Sequence, residues 1–255
     1  MSHRVVQATV WSNRCLCEEV VLTGLKRLVA PADGIIDRLW VVHDLKQQQR
    51  LVERANDVRW VRASGPVVPQ YAPRDAKKLA CLRGFEFLWK SLRALPPSGD
   101  VLLVDDDIVL APETLLRLDK TMRETGAGAV SALVRAFDGG WPAFRYESRI
   151  VMRRTGEPLR TQPGWTMHRL TDVDLLPEPQ DVDAVGTFCL LIAESAVAQL
   201  RTGCYKPSVY AGYGIEGHDL HLCTWLRESG WRVVLDSSVR PAHYCELTPG
   251  QMVTR

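Results

Sequence analysis

Three consecutive carboxylates, Asp105, Asp106 and Asp107, follow at once on the apolar run Val101-Leu102-Leu103-Val104. The run reads as a buried strand, so the acids fall at its C-terminal end. Acids crowded at such a place repel one another and lose solvation, and a cation relieves both costs. Oxygen ligands of this kind suit Mg2+ or Mn2+. On a continuing strand Asp105 and Asp107 point one way and Asp106 the other, which makes Asp105 and Asp107 the expected metal pair. The competing reading is a solvated turn, or an acidic start to the helix that opens near Pro112.

Two later groups could share this chemistry. In Gly214-Ile215-Glu216-Gly217-His218-Asp219-Leu220 the acids sit on a glycine-lined turn where a helix begins. Asp219 is a candidate general base there, with Glu216 as the fallback; alternatively Asp219 only caps the helix. His243, in Val239-Arg240-Pro241-Ala242-His243-Tyr244, offers the nitrogen that Mn2+ tolerates beside carboxylates. Taken by itself, a histidine after a strand is more often a surface or core residue.

The elements that must position these groups alternate through the first half. Arg4 to Val10 reads as a strand. A helix follows, with Cys17, Val20, Val21, Gly24, Leu25 and Leu28 at helical spacing. Strands are expected at Arg38 to Val42 and Val58 to Val61, and a long helix from Asp75 to Leu95, stopped by Pro96-Pro97. The strand at Val101 to Val104 then leads to a helix striped by Leu115, Leu116, Leu118 and Met122. Alternation of this kind predicts an α/β fold, a mostly parallel central sheet covered by helices on both faces. Ligands of such sheets sit at the C-terminal ends of the strands, where Asp44 and the acid triplet fall. Residues 137–179 read as loops and short strands of a smaller lobe. A strand at Thr187 to Ile192, a helix from His218 to Ser229 ended by Gly230, and a strand at Arg232 to Leu235 follow, with a tail after Pro241.

At 255 residues, with 46% apolar side chains, the chain has enough for a packed core, and a single domain is expected over 1–255. A net charge of +2 gives no global field toward nucleic acid or membrane. No apolar run approaches the length of a spanning helix, and Met1-Ser2-His3-Arg4 has no leader character, so a cytoplasmic protein is expected. The seven cysteines are scattered, with no Cys-x-x-Cys, and read as reduced thiols.

In this order the pieces resemble the GT-A class of nucleotide-sugar glycosyltransferases, most nearly glycosyltransferase family 2, and the resemblance covers most of the chain. It rests on Thr9-Val10-Trp11-Ser12-Asn13-Arg14 after the first strand, Asp105-Asp106-Asp107 after the fourth, His218-Asp219 opening a helix, and His243 beyond the last strand. It implies a nucleotide-sugar-binding half at 1–125 and an acceptor-binding, base-carrying half at 126–255. It also implies a nucleoside-diphosphate-sugar donor and a Mn2+ or Mg2+ ion held by Asp107 and His243 with Asp105. Asp44 would bind the nucleobase, and Arg74, Lys77, Lys78 or Arg83 would lie near the diphosphate with Asp105 and Asp106. Asp219 would be the base of an inverting displacement. His218 stands where the family usually has an acid, which leaves a catalytically weak nucleotide-sugar-binding or regulatory module as the alternative. The Gln-x-x-Arg-Trp motif of processive synthases is absent.

The acceptor is addressed by residues 138–170, where Arg145, Arg149, Arg153, Arg154, Arg160 and Arg169 are interleaved with Trp141, Phe144, Tyr146 and Trp165. Guanidinium and aromatic groups suit sugars, and equally phosphates and stacked bases. A saccharide or small-molecule hydroxyl is one expectation. The other is a hydroxymethylated pyrimidine in DNA, as some small phage enzymes of this class modify, which would place the protein in the host cytoplasm.

Overall fold

The structure is a computed structural model that describes residues 3–11, 17–31, 34–63, 74–95, 99–136, 140–149, 164–203, 205–208, 217–246 and 252–254. For 74–78, 80, 145–149, 164–168, 245, 246 and 252–254 it describes the backbone only. The first half alternates as expected: β1 (Arg4–Trp11), α1 (Glu18–Arg27), β2 (Ile35–Val42), α2 (Leu45–Val52), β3 (Val58–Arg62), α3 (Arg74–Ala94) and β4 (Asp100–Val104). Then come β5 (Ile108–Val109), α4 (Thr114–Thr125), β6 (Ala129–Ala132), the hairpin β7 (Ala143–Arg149) and β8 (Gly164–Arg169), and a 3-10 turn at Asp172–Asp174. The chain continues through β9 (Gln180–Val182), β10 (Ala184–Val185), β11 (Cys189–Ile192), α5 (Glu194–Thr202) and α6 (His218–Glu228). It ends with β12 (Val233–Asp236), β13 (Ala242–Glu246) and β14 (Met252–Thr254).

Eight strands form the central sheet in the order β3-β2-β1-β4-β11-β6-β12-β9. The run from β3 to β4 is parallel, as is the pair β6 and β12; β11 and β9 are antiparallel to their neighbours. Both faces are apolar because side chains alternate along each strand. Val6, Ala8, Val10, Val101, Leu103, Leu190, Ile192, Val233 and Leu235 pack with Phe85, Leu88 and Trp89 of α3, Val197 and Leu200 of α5, and Leu222 and Leu226 of α6. Their neighbours Val5, Trp11, Leu102, Val104, Leu191 and Val234 pack with Val21 and Leu25 of α1, Leu51 of α2, and Leu115, Leu118 and Met122 of α4. Three helices therefore cover each face, and each fully buried aliphatic side chain contributes about 1.5–3 kcal/mol. Inside this core Gln7 accepts from the Trp40 indole at 2.8 Å and donates to Thr9 at 2.7 Å.

Several elements depart from the sequence reading, among them β6, a strand of the central sheet where none was expected. Leu45–Val52 is a helix, α2, where none was expected; its Leu51 is buried under β2 and β3 while Leu45 and Val52 are exposed. The stretch after Pro241 is not a tail. It forms β13, which runs antiparallel to β5 with His243 opposite Ile108, and β14 pairs with β13 in turn. The lobe at 137–179 does contain short strands: β7 pairs with β8 and with β10.

Gly84 sets the approach of α3 to the sheet. A Cβ there would stand 2.3 Å from Val10 Cγ1 and 3.1 Å from His43 Nε2. Alanine is ordinarily the better helix former by about 1 kcal/mol. At this site overpacking should dominate, and Gly84→Ala is expected to destabilise the fold by about 1–3 kcal/mol in urea unfolding followed by tryptophan fluorescence. A more stable variant would show that α3 can move away from β1.

Candidate functional site

The acid triplet is a turn. β4 stops at Val104, and Ile108 N–H donates to the Asp105 carbonyl at 3.2 Å, so strand alternation does not extend through the acids. Each acid is pinned by a different partner. Asp105, half-buried, donates its N–H to the Phe188 carbonyl at 3.1 Å. The Asp106 carbonyl accepts from the Cys17 thiol at 3.3 Å. Asp107 accepts from Tyr244 N–H at 2.7 Å through its own carbonyl. Asp106 and Asp107 are 4% and 1% exposed, so these are not solvated acids.

The Asp107 carboxylate meets His243. Its Oδ2 lies 3.0 Å from His243 Nε2, and His243 is itself 4% exposed. On the other side of the ring, His243 Nδ1 lies 2.6 Å from the Arg135 carbonyl. A carbonyl only accepts, so Nδ1 donates to it; Nε2 then presents a lone pair to Asp107 when the ring is neutral and an N–H when it is protonated. The pairing of β13 with β5 brings these residues together across a separation of 136 positions. The β12–β13 connection is held by Asp236, which accepts from Thr121 at 2.6 Å and from Ser238 N–H at 2.9 Å, and by Leu133 N–H on the Val239 carbonyl at 2.9 Å. The Phe188 ring packs 5.3 Å from His243.

The other sequence candidates take distinct places. The charge of Asp106 reaches His43, which directly follows β2. Burial pushes the His43 imidazole below its ordinary value; Asp106 draws it up and Arg83 adds to the lowering. Asp44 caps α2, accepting from Lys46 N–H at 2.9 Å. Arg74, Lys77 and Lys78 lie at the start of α3, the end of that helix that adjoins the strand C-termini, and only their backbone is described. Glu216 lies outside the described residues.

Asp219 sits in the first turn of α6. Its Oδ1 accepts from Leu220 N–H at 3.0 Å and folds so close over Gly217 that a Cβ there would stand 2.0 Å away. Its charge is felt by Tyr205 and by Cys223, a thiol that burial pushes up to about 12. His218 beside it stacks on Phe85, with ring centroids 3.9 Å apart, and places Nε2 3.3 Å from Thr187 Oγ1.

In the smaller lobe, Arg145 and Arg149 fall on β7 and Trp165 on β8, with only their backbone described; Arg153, Arg154 and Arg160 lie outside the described residues. Trp141 is engaged on three sides. Its indole N–H donates to Asp172 at 2.6 Å, its carbonyl accepts from Arg169 at 2.7 Å, and the Arg135 guanidinium lies 5.0 Å from its ring centre. Arg135 thus links the lobe to His243, which its carbonyl holds.

A further cluster escaped the sequence reading because its members are remote in sequence. His3, Asp100 and Asp119 bring ligand atoms within 4.8 Å of one another, a spacing that could admit a metal ion. It lies at the opposite end of β4 from the acid turn. His3 Nε2 stands 3.0 Å from Asp100 and 3.5 Å from Asp119, whose carboxylate also pairs with Arg123. Surface depressions of about 340 Å³, at the starts of β1, β2 and β3, and about 530 Å³, beside β9 and β12, are likewise lined by none of the acid-turn residues.

No protein-family model and no curated protein sequence matches the chain. Solved structures do. A197 from STIV superposes with a TM-score of 0.52 at 12% identity, over 99% of this chain and 94% of that one. The mannosyltransferase PcManGT from Pyrobaculum calidifontis, in complex with GDP-Man and Mn2+, superposes with a TM-score of 0.52 at 14% identity. The match covers 94% of this chain but 56% of the mannosyltransferase, so this chain spans little more than half of its length. The fold is that of the GT-A glycosyltransferase structures, a mostly parallel eight-stranded sheet between two layers of helices. Among the described residues no helix is long and apolar enough to cross a membrane.

The cap at Asp44 is separable from any role in binding. Asp44→Ala is expected to lower stability by about 1 kcal/mol in chemical denaturation, the usual value of an N-cap. An unchanged stability would leave the carboxylate without a structural role and strengthen the case for a ligand.

Proposed function

We propose that the protein is a metal-dependent glycosyltransferase that moves a sugar from a nucleoside diphosphate to an acceptor hydroxyl with inversion. The observation that carries this reading is the Asp107–His243 pair. With Nδ1 committed to the Arg135 carbonyl, the His243 Nε2 lone pair faces a carboxylate oxygen at 3.0 Å in a dry setting. Two lone pairs so placed repel unless a proton or a metal ion joins them. In octahedral Mg2+ or Mn2+ sites with bonds of about 2.1 Å, adjacent ligand atoms stand about 3.0 Å apart. A histidine ligand whose other nitrogen donates to a carbonyl also has the usual support of a metal site. The donor set therefore fits the ion, with Asp107 and His243 as ligands and Asp105 two residues back on the same turn. The GT-A fold supports the same reading, since it sets these residues at the strand ends.

A bound divalent ion would neutralise the charge that develops on the departing diphosphate. The chain's own residues supply the rest. The start of α3, with Arg74, Lys77 and Lys78, offers cationic groups to the diphosphate. Asp106, His43 and Asp44 line the nucleoside side. The first turn of α6, where His218 and Asp219 lie with Glu216 before them, supplies the group that takes the acceptor proton while the hydroxyl oxygen attacks the anomeric carbon. The arginine- and tryptophan-rich hairpin receives the acceptor, either a saccharide or a hydroxymethylated pyrimidine in DNA.

Nucleotide release from a panel of nucleotide sugars, in Mn2+, Mg2+ or EDTA, tests the reading directly. Release is expected with Mn2+ and is expected to stop in EDTA. Asp107→Asn and His243→Ala are each expected to weaken Mn2+ binding by roughly tenfold or more and to lower turnover with it. If both variants bind Mn2+ like the parent, the pair is a plain ion pair with a second proton on His243. Metal and donor binding without nucleotide release would instead indicate a non-catalytic module. For the acceptor, DNA binding should weaken steeply as salt rises, and a salt-insensitive acceptor affinity would favour the saccharide.

A further inference from the structure

The geometry points to His218 as the group that takes the acceptor hydroxyl's proton, with Asp219 beside it balancing the charge that results. This rests on the transferase reading above and assigns the base within it. His218 is held as a catalytic imidazole has to be held. Its ring lies against Phe85, which is 4% exposed, and its Nε2 is tied to Thr187, which is 2% exposed. When Thr187 Oγ1 accepts the Nε2 proton, the lone pair of the neutral ring is on Nδ1. Thr187 directly precedes Phe188, whose carbonyl holds the N–H of Asp105, so the imidazole is anchored one residue from the acid turn.

Asp219 is built differently. One of its oxygens accepts from its own helix at Leu220 and curls over Gly217, which fixes a negative charge beside the imidazole. Burial pushes the His218 ring below the ordinary histidine value; Asp219 raises it and His221 lowers it further. From the neighbouring elements α3 presents Phe85, and the approach to β11 presents Thr187. The ring is therefore neutral near pH 7 and ready to accept a proton, and Asp219 favours the imidazolium once it forms.

The step balances as follows. The acceptor oxygen forms a bond to the anomeric carbon while the bond from that carbon to the diphosphate oxygen breaks, and the electron pair leaves with the nucleoside diphosphate. The hydroxyl proton moves to His218 Nδ1 and passes to solvent after the product departs. Water can take the acceptor's place, so donor hydrolysis reports the same proton transfer.

The experiment follows nucleotide release from UDP-glucose, UDP-N-acetylglucosamine and GDP-mannose with Mn2+ between pH 5 and 8, using the best of the three. Because the neutral imidazole is the active form, kcat should fall as pH drops through the His218 ionisation. His218→Gln should lose roughly a hundredfold or more in kcat with little change in donor KM, and should no longer show that acid limb. Asp219→Asn should keep the limb but move it to lower pH, because the charge that raised the His218 value is gone. Thr187→Val, which leaves the ring in place, should lower kcat and keep the limb; it holds the test open if His218→Gln does not fold. A folded His218→Gln that keeps the parent's acid limb overturns the assignment alone. So does a Thr187→Val enzyme with the parent's kcat. No nucleotide release by the parent from any of the three sugars would overturn the transferase reading as well.

Discussion

The buried contact between Asp107 and His243 is the constraint on which the arrangement depends. An ionised carboxylate and an imidazole are not taken out of water unless something in the interior compensates them. Here the compensation is shared among many parts. The Arg135 carbonyl fixes the ring, Tyr244 N–H fixes the aspartate backbone, and β5 and β13 exist as a pair to deliver the two side chains. Strand β5 is two residues long, and its Ile108 is fully buried in the core beside α1. The Thr121–Asp236–Ser238 bonds then set the turn from which β13 departs.

Around this contact the acid turn distributes its three residues to three surroundings. Asp106 belongs to the half built from β1, β2 and α1, through Cys17 and His43. Asp107 belongs to the C-terminal segment. Asp105 belongs to β11, through Phe188. The backbone of the turn is thus anchored at each position by a different element.

Much of this was legible in the sequence, and the reasons are physical. Val101-Leu102-Leu103-Val104 is apolar on both faces because helices cover both faces, so it reads as an uninterrupted run. The acids directly after it mark the strand end. Asp107, His243 and the α6 start stand out as residue types that could do chemistry, although each also has an ordinary structural reading. What the sequence did not show depends on long-range pairing. The alternation that grouped Asp105 with Asp107 fails because the chain turns at Asp105. From the sequence β13 reads as a tail, because its partner β5 is too short to leave a pattern. α2 leaves no periodic signal, because its buried face is little more than Leu51 and Gln47, with a polar run between. The structural role of Asp44 followed it out of view, since a cap is recognised only once its helix is.

The return of β13 also bears on how the protein is made. A ribosome that has released residues 4–236 has released all eight strands of the central sheet, and that core can close. The acid turn is then finished as backbone but lacks its imidazole. Until the following residues emerge and pair with β5, the nascent chain carries a buried aspartate facing no partner from that segment. The contact between Asp107 and His243 would thus form late and as a single event, after the bulk of folding. Truncation just before residue 242 should accordingly leave a sheet that folds around an incomplete site.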